Sequence, residues 1–178
     1  MTTNRAEPKQ SSHRVLVMSD THLVDAARLP SALLELAMVA DHIVHAGDVS
    51  TLDVISVLAG CAPLTAVRGN VESPETWQRL PDRATVTVAG VVIGVVHDAG
   101  QASGRHSLLR ATFPDTQVCV YGHSHMPELI QLDDGLWVLN PGSPTQRRRA
   151  PFHSVIWLEV ASGIVTGCEL VDLDLGSS

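Results

Sequence analysis

Five short polar segments of the chain contain side chains that bind metal ions or transfer protons. In chain order they are Asp20-Thr21-His22, Gly47-Asp48, Gly69-Asn70, His97 and Gly122-His123-Ser124-His125. Each follows an apolar run of strand length. Turn chemistry explains any one such segment, but five in succession with carboxylate, amide and imidazole groups indicate a shared metal site.

The candidate ligand set contains seven oxygen- and nitrogen-bearing side chains, namely Asp20, His22, Asp48, Asn70, His97, His123 and His125. Seven ligands exceed the six of an octahedral ion and suit two ions. Because two ions about 3.5–4 Å apart share a ligand, and a carboxylate shares best, we expect Asp48 to bridge them. The set lacks thiolates, so we expect two divalent ions, manganese first, with iron, zinc, nickel and cobalt left open.

The stretch "VYGHSHMPELI" places two histidines on either side of one serine. If the strand continues through them, His123 and His125 leave the same face and converge on one point, which suits a metal. Two surface histidines at a turn give the same pattern, so this stretch decides nothing by itself.

The first half of the chain alternates predicted strands and helices. The strands are "RVLVMSD", "HIVHAGD" and "LTAVRGN"; the helices are "SALLELAMVA" behind Pro30 and "STLDVISVLAG", with Ser50 or Thr51 as N-cap. This order is typical of a largely parallel sheet, whose ligands gather beyond the carboxyl ends of the strands. Asp20, Asp48 and Asn70 are predicted to lie there.

From about Thr85 the pattern changes to hairpins, interrupted by one helix in "GRHSLLRATF". The predicted turns are Ala89-Gly90, Asp134-Gly135 and 161–163. An α/β half followed by a hairpin-rich half predicts two sheets packed face to face, with helices outside.

Length and composition favour one globular domain. The 178 residues are 44% hydrophobic and 17% charged, which gives enough apolar material for a core. We expect a disordered lead over 1–13 and a single domain over 14–173. The formal charge of −7 disfavours stable nucleic-acid binding.

The three cysteines are far apart and unpaired in spacing, which indicates free thiols in a reducing compartment. The N-terminal segment lacks the apolar stretch of a secretory signal, and no apolar run is long enough to span a bilayer. We therefore expect a cytoplasmic protein that binds no membrane. Apolar edge strands near the C-terminus leave a homo-oligomer open.

The ordered motifs "DTH", "GD", "GN", His97 and "GHSH", with "NPGS" at 140–143, resemble the calcineurin-like metallophosphoesterase superfamily. The small size of the chain resembles the compact prokaryotic phosphodiesterase branch of that superfamily. The resemblance implies an α/β fold, a four-layer α/β/β/α sandwich of two packed mixed sheets with a dinuclear metal site at the strand ends. It implies one metal held by Asp20, His22 and His125, a bridge through Asp48, and a second metal held by Asn70, His97 and His123.

The expected function is hydrolysis of phosphodiesters or activated phosphate esters on a small substrate. A hydroxide shared by two divalent ions has its pKa lowered from about 15.7 toward 7, so we expect direct attack on phosphorus without a phosphoenzyme. We expect Asp48, Asn70 and His97 to act in catalysis. The alternative is a non-catalytic protein-interaction scaffold of the same fold.

Two positions depart from the patterns of that superfamily. Many members have "GNHE", whereas this chain has "GNVE", and Val71 cannot protonate a leaving group. Members of the compact branch tend to have "HGH", whereas this chain has "HDA", so Asp98 and Ala99 put substrate recognition in question.

Three further sets of residues each have two interpretations. His45 is expected to pack or to support a ligand rather than bind metal. Asn140 and Ser143 form a turn or support the site. The arginines at 147–149 form a solvated loop or receive a substrate phosphate.

Overall fold

The computed structural model describes residues 12–175. Its strands are β1 His13–Met18, β2 His42–His45, β3 Leu64–Ala66, β4 Arg83–Val88, β5 Val91–Val96, β6 Val118–Val120, β7 Glu128–Gln131, β8 Trp137–Asn140, β9 Ser154–Ala161 and β10 Ile164–Asp172. Its helices are α1 Ser31–Met38, α2 Leu52–Cys61, α3 Pro74–Arg79 and α4 Arg105–Thr112, with a 3-10 turn at Ala26–Arg28. The expected disordered lead lies outside the described residues except for its last two, and His13 already belongs to β1.

The first sheet has the order β10-β9-β1-β2-β3. Strands β1, β2 and β3 are parallel, and α1 and α2 connect them as predicted. The backbone of Thr51 caps α2, although its side chain makes no capping hydrogen bond. The carboxyl ends of these three strands therefore lie along one edge of the sheet.

The second sheet has the order β4-β5-β6-β8-β7, with β5, β6 and β8 parallel at its centre. All three predicted hairpins form, but the third one, β9–β10, joins the first sheet by pairing β9 antiparallel with β1. Strand β9 is buried along both faces except at Glu159, which suits an interior strand with neighbours on either side.

The core has three layers of apolar contact. Val15 and Val17 of β1 face the second sheet, while Leu16 and Met18 face α1 and α2. On the far side, α4 packs on the outer face of the second sheet through Leu109. The predicted α/β fold, a four-layer α/β/β/α sandwich of two mixed sheets, is thereby confirmed.

Within residues 12–175, no helix combines the length and the apolar character that a membrane crossing requires.

Candidate metal centre

The predicted site residues follow the carboxyl ends of the parallel strands in both sheets. Asp20 comes after β1, Asp48 after β2 and Asn70 after β3, all in the first sheet. His97 follows β5 and the "GHSH" loop follows β6, both in the second sheet. The site therefore lies across the two sheets at one end of the sandwich, where parallel strands bind ligands.

One group of ligand atoms is formed by Asp20, His22 and His125. Asp20 Oδ1 lies 3.2 Å from His125 Nε2 and 3.7 Å from His22 Nε2. The two imidazoles stack with ring centroids 4.9 Å apart, and their Nε2 atoms are separated by 3.0 Å. Three ligand atoms therefore face one small volume.

A second group is formed by Asp20, Asp48 and His97. Asp48 Oδ1 lies 3.3 Å from His97 Nε2, while Asp48 Oδ2 lies 3.4 Å from Nε2 of His22 in the first group. Within each group the ligand atoms lie within 4.8 Å of one another. The two groups share Asp20, and Asp48 directs one oxygen to a histidine of each.

Asn70 and His123 lie at the exposed rim of these groups. The His123 ring meets the His97 ring edge-on, with centroids 5.2 Å apart. Their backbones contact the two carboxylates, since His123 N donates to Asp20 Oδ2 at 3.0 Å and Asn70 N donates to Asp48 Oδ1 at 2.5 Å. The structure thus brings five predicted side chains into the two groups and places the other two beside them.

The backbone at the site is unusual. Five candidate ligands have positive φ, namely Asp20 at 57°, His22 at 47°, Asp48 at 57°, His123 at 69° and His125 at 56°. Left-handed backbone at a non-glycine residue costs energy, and such residues cluster at functional sites. The strand interpretation of "GHSH" is therefore wrong: β6 ends at Val120, and tight left-handed bends, not strand alternation, direct His123 and His125.

Glycines before the ligands permit close approach. A Cβ on Gly47, which has φ +87°, would lie 2.6 Å from Nδ1 of His97. A Cβ on Gly69 would overlap the Asp48 carboxylate. The glycines of "GD" and "GN" are thus explained by the packing of the ligands against neighbouring backbone.

Backbone carbonyls fix the tautomers of two histidines. Nδ1 of His97 lies 2.7 Å from Ala46 O, and Nδ1 of His125 lies 2.5 Å from Gln146 O. A carbonyl oxygen only accepts hydrogen bonds, so both Nδ1 atoms carry the proton and both Nε2 atoms present a lone pair to the site. That is the form in which histidine binds a metal.

Two buried atoms of the site lack a hydrogen-bond partner among the described residues, namely Asp20 Oδ1 and His97 Nε2. Buried polar atoms without partners are costly, so each such atom calls for an explanation. A divalent cation provides it, because carboxylate oxygen and imidazole nitrogen are ligands of such ions. The residues present therefore fit a metal pair.

The "NPGS" segment forms hydrogen bonds with two loops that contain candidate ligands, the loop at Asp20 and the "GHSH" loop. Asn140 Nδ2 donates to Gly122 O at 3.0 Å and to Ser124 Oγ at 3.1 Å, inside the "GHSH" loop. Ser143 Oγ donates to Asp20 O at 2.7 Å and accepts from Gln146 N at 2.8 Å. A turn does form here, and it also holds the ligand loops in place.

Neighbouring charges and burial shift the pKa values of the two carboxylates and of His97. Burial by itself would raise the pKa of Asp20, but the facing imidazoles of His125 and His22 and the hydrogen bond from Ser19 outweigh it and hold that pKa well below its usual range. The pKa of Asp48 is lowered for the same kind of reason, through His97 and the backbone of Asn70. Burial opposes protonation of His97, yet the Asp48 carboxylate raises its pKa. Both carboxylates are therefore ionised at neutral pH.

His45 belongs to neither ligand group. It is completely buried, its Nε2 lies 3.2 Å from Thr21 Oγ1, and burial lowers its pKa to about 4. This is the packed or supporting role expected for it.

Two of the three departures from the superfamily pattern, Val71 and Asp98, lie at the surface. Val71 is 45% exposed beside Asn70. Asp98 is exposed and its Oδ1 accepts from Gly100 N at 2.8 Å, whereas Ala99 points into the core.

Of the arginines at 147–149, Arg147 is used within its own loop, where it donates to Ala150 O at 3.0 Å.

Comparisons with known proteins agree with this geometry. Residues 14–163 match the model of the calcineurin-like phosphoesterase superfamily domain. A probable metallophosphoesterase of Methanocaldococcus jannaschii is 33% identical over 173 residues, covering 89% of this chain and 87% of the relative. A solution structure of a Thermotoga maritima protein has 31% identity and a TM-score of 0.68, covering 90% and 99% of the two chains. Vps29 of Chaetomium thermophilum shares the fold, with a TM-score of 0.72 at 21% identity over 89% and 95%.

Proposed function

The chain belongs to the calcineurin-like phosphoesterase superfamily, and on that premise we propose that it hydrolyses phosphodiesters or activated phosphate esters with two divalent metal ions. The observation that supports this most directly is the pair of overlapping ligand groups, with Asp20 Oδ1 and His97 Nε2 buried and without partners. Coordination by divalent ions would satisfy both atoms.

The proposed ligands are the seven predicted residues. Asp20, His22 and His125 would hold one ion; Asn70, His97 and His123 would hold the other; Asp48 would bridge. The two oxygens of Asp48 support the bridging role because they face His22 and His97 of the two groups. Asp20 occurs in both groups, so its carboxylate also lies between the two sides.

When bound, two divalent ions supply an acidified water and neutralise charge on the phosphoryl group. The chain's own part is to keep the ligands rigid and ionised. Ala46 O and Gln146 O hold the histidine tautomers, and the backbone N–H groups of Asn70 and His123 orient the two carboxylates. Asn70, at the rim, would hold one ion and act in catalysis beside it.

The leaving group sets the expected substrate range. Val71 has no proton to give, and general acid catalysis contributes about 10²–10⁴-fold. Esters whose leaving group needs no protonation should therefore react best. For the same reason we favour activated diesters, while simple alkyl monoesters should react slowly.

We propose manganese as the native ion, a single domain over 14–173, a cytoplasmic location and a small phosphate-ester substrate. The cysteines at 61, 119 and 168 are free thiols, which supports a reducing compartment.

The second candidate function is a protein-interaction scaffold. The fold likeness to Vps29 favours it to a limited degree, because identity near 21% shows the fold alone. The two ligand groups and the histidine tautomers support metal binding, and turnover decides between a catalyst and a scaffold.

The test is a screen of the purified protein, reconstituted in turn with manganese, iron, zinc, nickel and cobalt, against matched phosphodiesters and monoesters. We expect metal-dependent turnover, highest with aryl diesters. Full metal loading with no turnover of any ester would favour the scaffold function.

A further inference from the structure

A groove leads away from the metal centre on the side of His97. Its first part is a cavity of about 220 Å³ lined by Asn70 and His97, and beyond them by Arg68, Asp82, Val96 and Asp98. Its second part, of about 230 Å³, shares Asp82, Val96 and Asp98 with the first and continues to Ala99, Leu108 and Leu109. The two cavities therefore adjoin, and the groove begins at residues of the metal site.

The charge on the first wall is largely neutralised. Arg68 Nε donates to Asp82 Oδ1 at 2.6 Å, and its Nη1 donates to Trp77 O at 3.3 Å. The guanidinium also lies over the Trp77 ring, 4.4 Å from its centroid. Because its donors are used by the protein, Arg68 is not free to bind a phosphate, and Asp82 adds little net charge.

Asp98 carries the uncompensated negative charge next to the metal centre. It is exposed and adjacent in sequence to His97, and Gly100 N holds its carboxylate in one orientation. No ion pair to Asp98 is formed by any residue that the structure describes. Arg83 lines only the second cavity, farther from the metals. An anionic group attached close to the phosphorus would therefore be repelled at Asp98.

The far part of the groove has an apolar wall, and Arg83 and Thr112 line it as well. Leu108 of α4 is 49% exposed there, beside buried Ala99 and Leu109. A cavity of about 230 Å³ has room for a group of the size of one aromatic ring. Covering Leu108 with such a ring would remove apolar surface from water and so favour binding.

We propose that this groove binds the leaving group of the substrate and selects an uncharged, ring-sized apolar group over an anionic one. The inference rests on the proposed function and adds the substrate class to it. Val96 and Leu108 contact the ring, and the Asp98 carboxylate repels anions. Asp98 and Ala99, which replace the "GH" of "HGH", thereby become determinants of specificity.

The experiment measures the binding of methylphosphonate, phenylphosphonate and 3-carboxyphenylphosphonate, whose carboxylate lies nearer the phosphorus than a 4-carboxylate would, to the manganese-loaded protein by calorimetry. Methylphosphonate reports on the metal pair alone. Phenylphosphonate should bind about tenfold more tightly because its ring covers the Leu108 side chain. The 3-carboxyphenyl compound should lose most of that gain because its carboxylate lies on the side of Asp98.

Four variants test whether Leu108 and Asp98 cause these differences in affinity. Leu108→Ala should remove the phenyl advantage, while Met38→Ala, at a comparably exposed side chain on α1, should leave it unchanged. Asp98→Asn should restore binding of the carboxyphenyl compound several-fold. Asp133→Asn, at an exposed carboxylate in the β7–β8 turn, should not.

The outcomes separate the two proposals. If methylphosphonate binds but Leu108→Ala and Asp98→Asn leave all affinity ratios unchanged, the groove proposal is overturned and the metal site stands. If methylphosphonate does not bind to the manganese-loaded protein, the proposed function fails and the groove proposal fails with it.

Discussion

At the scale of single residues, the two carboxylates of the centre are held by different means. Asp20 Oδ2 accepts from Ser19 Oγ at 2.5 Å and from His123 N, which leaves Oδ1 free for the histidines. Asp48 Oδ1 accepts from Asn70 N, and both of its oxygens face imidazoles. Asp20 is thus anchored through one oxygen, whereas Asp48 is oriented across the site, and only Asp48 faces a histidine on each side.

This difference predicts the effect of Asp48→Asn. The amide keeps the shape of the carboxylate but removes its charge and one acceptor, so metal affinity should fall by more than about a hundredfold. Turnover should fall with it. Metal content by mass spectrometry and hydrolysis of an aryl diester measure both quantities. Asp115→Asn, at an exposed carboxylate, is the control. Normal metal loading in Asp48→Asn would show that the bridge has been misassigned.

Ser143 predicts a subtler effect, because it binds no metal itself. Its hydroxyl connects Asp20 O to the backbone N–H of Gln146, whose carbonyl holds His125. Ser143→Ala should weaken metal binding by about 10- to 100-fold, as expected when the support of a ligand is lost. Metal titration followed by calorimetry measures this. Ser56→Ala, on an exposed turn of α2, should not change the affinity.

The residue types of the site were predictable from sequence, and their backbone was not. Spacing and ligand chemistry identified all seven side chains that the fold brings to one end. The left-handed bends at His123 and His125 could not be predicted, because histidine adopts positive φ only when surrounding contacts enforce it. The Ser143 hydrogen bond to Asp20 O spans 123 residues, so no local pattern could reveal it.

At the scale of elements, hairpin turns determine how the two sheets meet away from the metal centre. The Ala89-Gly90 turn of the second sheet contacts the Ser162-Gly163 turn of the first, and Gly163 N donates to Ala89 O at 2.8 Å. Both turns have positive φ at both central residues, as two-residue hairpins require. The contact joins the sheets at the opposite end of strands that carry ligands.

The Ser162 turn predicts a stabilising substitution. Ser162 has φ 51° and is exposed, and asparagine tolerates this conformation better than serine. Ser162→Asn gives the favoured Asn-Gly sequence and should raise the free energy of unfolding by about 0.5–1 kcal/mol. Urea denaturation measures it. Thr87→Asn, at an exposed position of β4 paired with Val92, should lower stability instead, because asparagine disfavours strands. An equal response in both variants would contradict the explanation from turn geometry.

Sequence periodicity predicted most elements and missed those defined by context. All three hairpins and helices α1, α2 and α4 lie where predicted. Helix α3 has only six residues, capped by Ser73, and is too short for apolar periodicity to appear. The pairing of β9 with β1 joins residues far apart in sequence, so local patterns could not assign that hairpin to the first sheet.

At the scale of the whole molecule, the chain has a formal charge of −7, and bound divalent cations would offset part of it. Two ionised, buried carboxylates repel each other unless cations lie between them. Metal binding therefore should stabilise the folded state by about 2.7 kcal/mol at a metal concentration of 100 Kd. Thermal unfolding with and without a chelator measures this stabilisation. A melting temperature that does not depend on metal would contradict a buried site for two metal ions.

The pH dependence of the metal-free protein follows from His45. Burial lowers its pKa from 6.5 to about 4, so between these values the unfolded chain binds a proton that the folded chain does not. Stability is therefore fully present above pH about 6.5 and falls as the pH drops toward 4. A shift of this size corresponds to a loss on the order of 3 kcal/mol.

Most of this window lies above the range in which carboxylates titrate. Asp20 and Asp48 have lowered pKa values, so their contributions begin to decline near the unfolded value of 3.8 and are lost as the pH falls further; His97, with a raised pKa, loses its contribution above pH 6.5. His42, whose pKa burial also lowers, acts in the same direction as His45, so a variant is needed to separate them. In chelator, His45→Gln should flatten the fall in unfolding free energy between pH 6.5 and 4 measured in urea. His106→Gln, at a partly exposed histidine, should leave the slope unchanged. An unchanged slope in His45→Gln would mean that another group takes up the proton.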